Sequence, residues 1–484
     1  MAARQQTVGT ARRATRIVAL AAVVAAVGMF TPQPLSGQGG GFGQGGRGQA
    51  PGGGRGGGRG QAQANLPTTP TAVALPMLSA EVTGPGPIFN STPSLPPGKG
   101  LADLRYEAKE YWVSGTASDQ PYHTRIVVRR PVNARDFSGL VLVESMHSSG
   151  AAHMFEYTST YTMSSGHAAV EILTSGQAQF VQHNEARYKS LQMAGPQTNE
   201  ILAQVGALIR TGRPLGNLPV RKTVLAGTSM SAGVLLNYLP SHAVYRTPDM
   251  QRIYDGFMPT SNGSIVPDVD VPVIQVPTMH EVAGNITNRQ DGDEPSRQYR
   301  LYEFSGMAHI DTRDSVRMNP NPCVSPISQF PLQAYMSVAL HHLFQWVDKG
   351  TVPPRADRIL LDRNEHNDGS LMALDEHGNP RGGIRNPYVD VPIVKYVIRP
   401  AAITPVIPNA SPYIAARGQQ AANQMCSLGS AEIALPQARL RELYRNPRNY
   451  ASMVERRVNE LEKAGWSLPV YRGQILADAA RVKF

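Results

Sequence analysis

Apolar residues in the middle of the chain fall into short continuous runs bounded by polar or glycine-rich stretches. A strand with one solvent-exposed face alternates apolar and polar residues. Three runs lack this alternation, namely Gly139–Ser145 ("GLVLVES"), His167–Leu173 and Lys222–Gly227. Such runs are typical of parallel strands that are buried on both faces. Leu104–Ala117 and Tyr122–Pro131 alternate in part and are rich in β-formers, which also predicts strands.

Helical and strand-like stretches alternate after these runs. Helices are predicted around Glu200–Arg210, at Ser231–Leu239 before Pro240, and at Leu332–Gly350, where glycine and then prolines follow. Strands are predicted at Tyr254–Thr260, Val271–Pro277 and Tyr299–Gly306. This alternation predicts an α/β fold with a mainly parallel central sheet flanked by helices. Ala438–Phe484 adds helices, with Val454, Val458 and Leu461 sharing a packing face.

The N-terminus has the pattern of a secretory signal, predicted over residues 1–36. Three arginines (Arg12, Arg13 and Arg16) precede the apolar run Ile17–Phe30. This run is about 14 residues long, whereas a membrane span needs about 20, so no stable span is expected. An uncleaved anchor is the alternative, and no cleavage site stands out. The sequence therefore predicts a secreted protein, either periplasmic or extracellular.

Residues 37–70 are predicted to form a disordered linker before a folded region at 71–484. Gly37–Gly60 is mostly glycine with arginine and glutamine, a composition that cannot bury enough surface to order itself. Its arginine–glycine repeats suggest, as an alternative, an RNA-binding tail. Seven of the 46 basic residues and no acidic residue lie in residues 1–65, which leaves 39 basic against 36 acidic residues in the rest. The folded region is thus nearly neutral, and no nucleic-acid partner is expected.

The two cysteines, Cys323 and Cys426, leave two readings open. An exported protein permits a disulfide, but two separate buried thiols would fit equally well. Neither cysteine has the spacing of a metal or redox site. Since metal-binding, nucleotide-binding and dinucleotide-binding motifs are also missing from the sequence, no metal and no cofactor are expected.

Gly227-Thr228-Ser229-Met230-Ser231 fits the pattern small-x-Ser-x-small between a predicted strand and a predicted helix. Small flanking residues allow the sharp turn that exposes a nucleophilic serine. The turn also places the backbone N–H of Met230 at a helix N-terminus, where an oxyanion can bind. Ser229 is therefore the predicted nucleophile.

A serine nucleophile needs a base, and the base needs an acid to orient it. His309 follows the strand Tyr299–Gly306, and Glu281 is the first carboxylate after Val271–Pro277. Both positions are at the carboxyl ends of predicted parallel strands, where α/β active sites form. Asp291 and Asp293 are the alternative acids.

A second oxyanion donor is expected in the loop after Gly139–Ser145. The backbone N–H of Met146 or of His147 is the candidate.

The segments "EYWVSGTA", "FSGLVLVE", "GTSMSAG", "YEFSGMAHID" and "LDEHGNPRGGIRNPYVDVP" together resemble the α/β-hydrolase superfamily. Within it the sequence is similar to secreted bacterial α/β-hydrolase-domain proteins of poorly defined substrate, from about Leu104 to the C-terminus. The resemblance implies an α/β-hydrolase fold with extra C-terminal loops and helices. It also implies Ser229 as nucleophile, Glu281 at the acid position and His309 as base.

Three positions depart from the family pattern. Met230 stands where glutamine is commoner, Glu281 replaces the usual aspartate, and Ser145-Met146-His147 replaces a Trp-x-Asn loop. The loop at Arg381–Tyr388 is a candidate cover for the site, in which Arg385 would bind an anionic substrate. The alternative is that Arg385 fixes its own loop.

The leading hypothesis is a carboxylesterase-like serine hydrolase with a Ser229–His309–Glu281 triad and an acyl-enzyme. It would act on a small-molecule or polymer-derived ester. An amidase or acyltransferase would use the same residues, and a non-catalytic binding protein of the cell envelope could share the fold.

Overall fold

The apolar runs of the sequence form the middle of a mixed β-sheet. The protein is described by a computed structural model that covers residues 66–283, 289–362 and 371–484. Its strands are β1 (Thr71–Ala72), β2 (Met77–Glu81), β3 (Tyr106–Ala117), β4 (Gln120–Pro131), β5 (Leu140–Ser145), β6 (Ala168–Ile172), β7 (Lys222–Thr228), β8 (Tyr245–Arg246), β9 (Gly256–Thr260), β10 (Val273–Gln275), β11 (Tyr299–Leu301), β12 (Val394–Ile398) and β13 (Ser430–Ala434).

Helices connect the strands and form a C-terminal group. They are α1 (His153–Glu156), α2 (Ser159–Ser164), α3 (Gln177–His183), α4 (Glu185–Tyr188), α5 (Thr198–Arg210), α6 (Met230–Val244), α7 (Met279–Val282), α8 (Leu332–Lys349), α9 (Pro387–Asp390), α10 (Pro412–Ala415), α11 (Gly418–Leu428), α12 (Gln437–Tyr444), α13 (Pro447–Ala464) and α14 (Pro469–Ala480).

In the described residues the main sheet has nine strands in the order β11-β10-β9-β7-β5-β6-β4-β3-β2. The six strands from β11 to β6 run parallel to one another, and β4, β3 and β2 add an antiparallel edge. The predicted α/β fold with a mainly parallel sheet is confirmed. The carboxyl ends of β5, β7, β9, β10 and β11 consequently open onto one edge of the sheet.

The two faces of the sheet pack against different layers of helices. On β5, Val141 and Val143 belong to one apolar core, whereas Leu140 and Leu142 belong to the other. Residues of α5 and α6 complete the first core, and residues of α8, α13 and α14 complete the second. Successive strand side chains point to opposite faces, so both faces must be apolar. This explains the continuous apolar runs.

One predicted helix end is wrong. The helix expected to stop before Pro240 continues to Val244, with Pro240 inside it. Proline removes one helical hydrogen bond, but Tyr238 and Leu239 just before it are buried in the core. Packing of this face holds the helix together across the proline.

Two predicted strands are much shorter than expected. Val271–Pro277 is reduced to Val273–Gln275. The strand Tyr299–Gly306 ends at Leu301. Beyond it the N–H of Ser305 donates to the carbonyl of Ile384, at 3.2 Å. The loop containing Ile384 thus takes the place of a neighbouring strand for this irregular segment.

Cys323 and Cys426 form a disulfide, with their Cα atoms 5.7 Å apart. The bond lies in a small third apolar cluster with Met318, Ile414 and Met425. It joins a segment that follows His309 to helix α11. Because the cysteines are 103 residues apart, loop-closure entropy alone gives a stabilisation of about 4.7 kcal/mol.

Asp478 on α14 ties the C-terminal helices to the same region. Its carboxylate binds both terminal nitrogens of Arg313, at 2.6 and 2.8 Å, and accepts a hydrogen bond from Tyr388 Oη at 2.7 Å. Arg481 forms a further ion pair with it. Arg313 is four residues beyond His309 in the sequence, so α14 anchors the chain just past the predicted base.

The predicted signal at residues 1–36 and most of the predicted linker at 37–70 lie outside the described residues, and both remain predictions. Within the described ranges, no helix is both long enough and apolar enough to cross a lipid bilayer.

Candidate active site

Ser229 occupies a sharp corner between β7 and α6. Thr228 ends the strand, Met230 begins the helix, and Ser229 between them has φ 54° and ψ −116°. A positive φ is costly for a residue with a Cβ, and such strain is concentrated at functional sites. The Ser231 hydroxyl supports the corner: it accepts the N–H of Thr228 and donates to the carbonyl of Thr228, both at 2.9 Å.

The corner has no room for a side chain at Gly227. A Cβ there would lie 2.4 Å from the carbonyl oxygen of Ser231, a backbone atom. Gly233 lies on helix α6, where a Cβ would meet nothing within 4 Å. The two glycines therefore form a matched pair for testing the corner.

Gly227→Ala is expected to lower the free energy of unfolding by about 1–3 kcal/mol, as overpacking does. Gly233→Ala should raise it by about 0.5–1 kcal/mol, because alanine is the better helix former. Urea unfolding of both variants beside the native protein measures the difference. Equal midpoints for the two variants would contradict this account of the corner.

The structure brings His309 and Glu281 together. Nδ1 of His309 lies 2.6 Å from Oε1 of Glu281. The other carboxylate oxygen, Oε2, accepts the backbone N–H of Thr278 at 2.8 Å and its hydroxyl at 2.6 Å. These contacts form a capping box on the short helix α7. The glutamate, longer than the usual aspartate, spans from the helix cap to the histidine.

Glu281 is held in its charged form. Burial by itself would raise the pKa of Glu281, but the hydrogen bond and charge of His309 and the two donors of Thr278 lower that pKa to about 2. The carboxylate is consequently ionised at neutral pH and can stabilise a positive imidazolium.

The backbone of His309 is fixed from two sides. Its N–H donates to Nδ1 of His280 at 3.1 Å, and its carbonyl accepts the hydroxyl of Ser261 at 3.1 Å. Since Nδ1 of His280 is an acceptor, its Nε2 carries the proton and donates to the carbonyl of Gly429 at 3.1 Å. Burial lowers the pKa of His280 to about 3, which keeps this ring neutral.

The end of β9 connects the serine and the histidine. The carbonyl of Thr260 accepts a hydrogen bond from the N–H of Ser229 at 3.0 Å. The hydroxyl of the next residue, Ser261, donates to the carbonyl of His309. Neither the Ser229 hydroxyl nor Nε2 of His309 has a hydrogen bond to another described residue. Both groups are therefore free for a substrate at the carboxyl edge of the sheet.

Of the predicted oxyanion donors, only the Met230 N–H is free within the described part of the chain. It belongs to the first residue of α6, where helical N–H groups have no helical partner. The two candidates for the second donor already have backbone partners. The N–H of Met146 donates to Ile172 at 2.9 Å, and that of His147 donates to Ala151 at 3.1 Å. The first bond extends the pairing of β5 with β6, and the second closes the loop after β5.

Arg385, the predicted substrate-binding residue, is engaged by groups of its own loop. Its guanidinium binds the carboxylates of Asp375 and Asp390 and donates to the carbonyls of Pro380 and Val389. A guanidinium neutralised by two carboxylates has little affinity left for an anionic ligand. Arg385 fixes its own loop, which packs beside the segment after β11.

The alternative acids, Asp291 and Asp293, bind groups other than His309. Asp291 accepts the N–H of Leu301 and binds Arg358, while Asp293 binds Arg300 and Arg355. Both hold the loop before β11, and Glu281 is the carboxylate that meets His309. Among the described residues, no group of three or more His, Cys, Asp or Glu side chains could hold a metal ion.

Sequence reasoning missed the residues that hold the pair in place, namely Thr278, His280 and Ser261. A signal for Thr278 was present: Thr278-Met279-His280-Glu281 has the Thr-x-x-Glu pattern of a capping box. His280 and Ser261 act through long-range contacts, for which a single sequence contains no signal.

A family model described as "Alpha/beta hydrolase domain" matches residues 67–477. The chain belongs to this family. The predicted α/β-hydrolase fold is thereby confirmed, and the protein is a hydrolase by family. A comparison of the sequence with curated proteins finds no match.

Solved structures of other hydrolases align with parts of the chain. A cold-adapted esterase from an Arctic intertidal metagenomic library has 14% identity and a TM-score of 0.25, covering 40% of this chain and 83% of its own. Brefeldin A esterase, a bacterial homologue of human hormone-sensitive lipase, has 11% identity and a TM-score of 0.23, covering 32% and 40%. A putative hydrolase from Agrobacterium vitis S4 has 13% identity and a TM-score of 0.22, covering 46% and 66%.

Proposed function

We propose that this hydrolase cleaves carboxylic esters through an acyl-enzyme, with Ser229 as nucleophile, His309 as general base and Glu281 as the orienting acid. The observation that carries the proposal is the 2.6 Å contact between His309 Nδ1 and Glu281. It lies at the sheet edge that also presents a free serine on a strained corner. Nucleophile, base and orienting acid are the three parts that serine catalysis requires.

The reaction runs in two halves. Nε2 of His309 takes the proton of the Ser229 hydroxyl as Oγ attacks the carbonyl carbon, and the carbonyl oxygen becomes an oxyanion. The intermediate collapses, the alcohol leaves with the proton from His309, and an ester to Ser229 remains. Water, deprotonated by His309, then attacks this acyl-enzyme and releases the carboxylic acid and the free serine.

Glu281 and Met230 would stabilise the charges that develop on His309 and on the carbonyl oxygen. Because Glu281 is ionised and bonded to Nδ1, it holds His309 with Nε2 unprotonated and facing away from the carboxylate. The N–H of Met230 lies at the positive end of the 15-residue helix α6 and would donate to the oxyanion.

We also propose that the protein works outside the cytoplasm. The Cys323–Cys426 disulfide supports this location, because such bonds persist in oxidising compartments. The basic and apolar N-terminal segment agrees with export. The substrate would then be a small-molecule ester or an ester released from a polymer.

Covalent trapping tests the proposal. The native protein is incubated with an alkyl fluorophosphonate and digested, and the peptides are sequenced by mass spectrometry. The expected result is one adduct, on Ser229. In parallel, p-nitrophenyl esters of increasing acyl length and the matching anilides are assayed for turnover.

The outcomes separate the candidate functions. Ester turnover with little anilide turnover supports the esterase, and comparable anilide turnover would make the protein an amidase. A folded protein with no adduct and no turnover of any substrate would overturn the proposal in favour of a binding role.

A further inference from the structure

The loop between β5 and α1 brings a second histidine, His147, to the serine corner. Strands β5 and β7 are neighbours, and their last paired residues are Glu144 and Ala226. His147 and Ser229 each lie three residues beyond that pair. The adjacent Ser148 hydroxyl lies 3.2 Å from the sulfur of Met230. The loop therefore reaches Met230, the first residue of α6, whose N–H is the other predicted oxyanion donor.

The hydrogen bonds of His147 fix which ring nitrogen carries the proton. The backbone N–H of Ser149 donates to Nδ1 of His147 at 3.1 Å, and the Ser149 hydroxyl lies 2.8 Å from the same nitrogen. Because the backbone N–H can only donate, these contacts assign Nδ1 as an acceptor. In a neutral imidazole the proton is then on Nε2. Nε2 has no hydrogen-bond partner among the described residues, which leaves an N–H donor available to a ligand.

The environment of His147 keeps its ring neutral. Burial, together with the nearby His153, Arg317 and His309, lowers the pKa of His147 to about 3. The ring is accordingly neutral at any pH at which a histidine base can work. A neutral imidazole can donate a hydrogen bond to a developing oxyanion without competing with His309 for the proton.

The loop is held rigidly around this donor. Arg317 donates to the hydroxyl and to the carbonyl of Ser149, each at 3.2 Å. The N–H of Gly150 donates to the carbonyl of His147 at 2.8 Å, and the N–H of His147 donates to Ala151. Donors fixed before the reaction cost no reorganisation when charge develops, which is the condition for effective oxyanion binding.

We propose that the Nε2–H of His147 is the second oxyanion donor, acting with the backbone N–H of Met230. The backbone groups of the same loop, Met146 and His147, are already bonded, and the side chain takes over their role. This inference rests on the proposed function, because an oxyanion forms only if Ser229 attacks a carbonyl. His147 would accordingly be a catalytic residue that contacts the reacting oxygen.

Two substitutions of similar size test the inference. His147→Leu removes the donor, whereas His147→Gln keeps an N–H near the position of Nε2 and an oxygen that can accept from Ser149. His183→Leu is the control, since His183 is an exposed histidine at the end of α3. Steady-state kinetics on the best ester give kcat and KM, and thermal unfolding shows whether each variant is folded.

His147→Leu is expected to lower kcat by about 10²–10³-fold, as loss of one oxyanion donor does, with KM changed little. His147→Gln should recover at least part of this loss, and His183→Leu should match the native protein. If His147→Leu does not fold, His147→Asn replaces it, because asparagine has no N–H near the position of Nε2. A kcat lowered in the Asn variant and recovered in the Gln variant supports the donor, and equal kcat values overturn it.

Equal kcat values for folded Leu and Gln variants, or a native kcat in the Leu variant, would overturn the role of His147. Failure of the proposed function looks different. In that case the native protein itself forms no Ser229 adduct and hydrolyses no ester, whatever residue 147 is.

Discussion

Ser229→Ala should reduce kcat on any ester that the native protein hydrolyses by about 10⁶-fold, with KM changed much less. Alanine removes the oxygen that attacks the carbonyl, and neither His309 nor Glu281 can replace it. The oxyanion donors and the binding site remain, so a small residual rate above that of water is expected. The measurement is steady-state kinetics combined with fluorophosphonate labelling, which should vanish.

Ser264→Ala is the matched control. Ser264 is exposed, and among the described residues only its backbone makes hydrogen bonds, with Asn262 and Gln275. It should leave both kcat and labelling unchanged. Labelling that survives in Ser229→Ala would show that another residue is the nucleophile.

Glu281→Gln is expected to lower kcat by about 10⁴-fold. The two donors of Thr278 at the Oε2 position would bind the oxygen of the new amide. Its NH₂ group then faces Nδ1 of His309 and donates to it. This places the imidazole proton on Nε2, the atom that has to accept the serine proton.

The same substitution should change the response of stability to pH. The pKa of Glu281 is about 2 in the folded protein, below its usual 4.5. A carboxyl with a lowered pKa adds fully to the free energy of unfolding above about pH 4.5, and this contribution is lost as the pH falls towards 2. Glu281→Gln should therefore lose less unfolding free energy than the native protein between about pH 5 and pH 3.

Glu294→Gln is the control for both measurements, because Glu294 is exposed in the loop before β11. It should keep the native kcat and the native pH response. A native kcat in Glu281→Gln would mean that another group orients His309.

The sequence predicted those parts of the site that depend on local pattern and strand order. The corner at Ser229 follows from small residues between a strand and a helix. The pairing of Glu281 with His309 follows from their places after successive parallel strands. Both inferences use the rule that carboxyl ends of parallel strands meet at one edge.

The parts that were missed depend on contacts between distant residues. The N–H of Met146 donates to the carbonyl of Ile172, at the end of the neighbouring strand β6. Arg385 is neutralised by Asp375 and Asp390, and a sequence cannot tell such a structural arginine from one that binds substrate. The sequence likewise left the disulfide open, because two cysteines 103 positions apart give no information on the 5.7 Å between their Cα atoms.

The contacts of Asp478 limit how far the C-terminus of this hydrolase can be truncated. The match to the family model ends at residue 477, one position before this carboxylate. Yet Asp478 neutralises Arg313, which follows closely on the segment that contains His309. The residues matched by the family model therefore end before the residues that hold the region around His309. The last turn of α14 supports the chain just past the predicted base, although most of that turn lies beyond the matched residues.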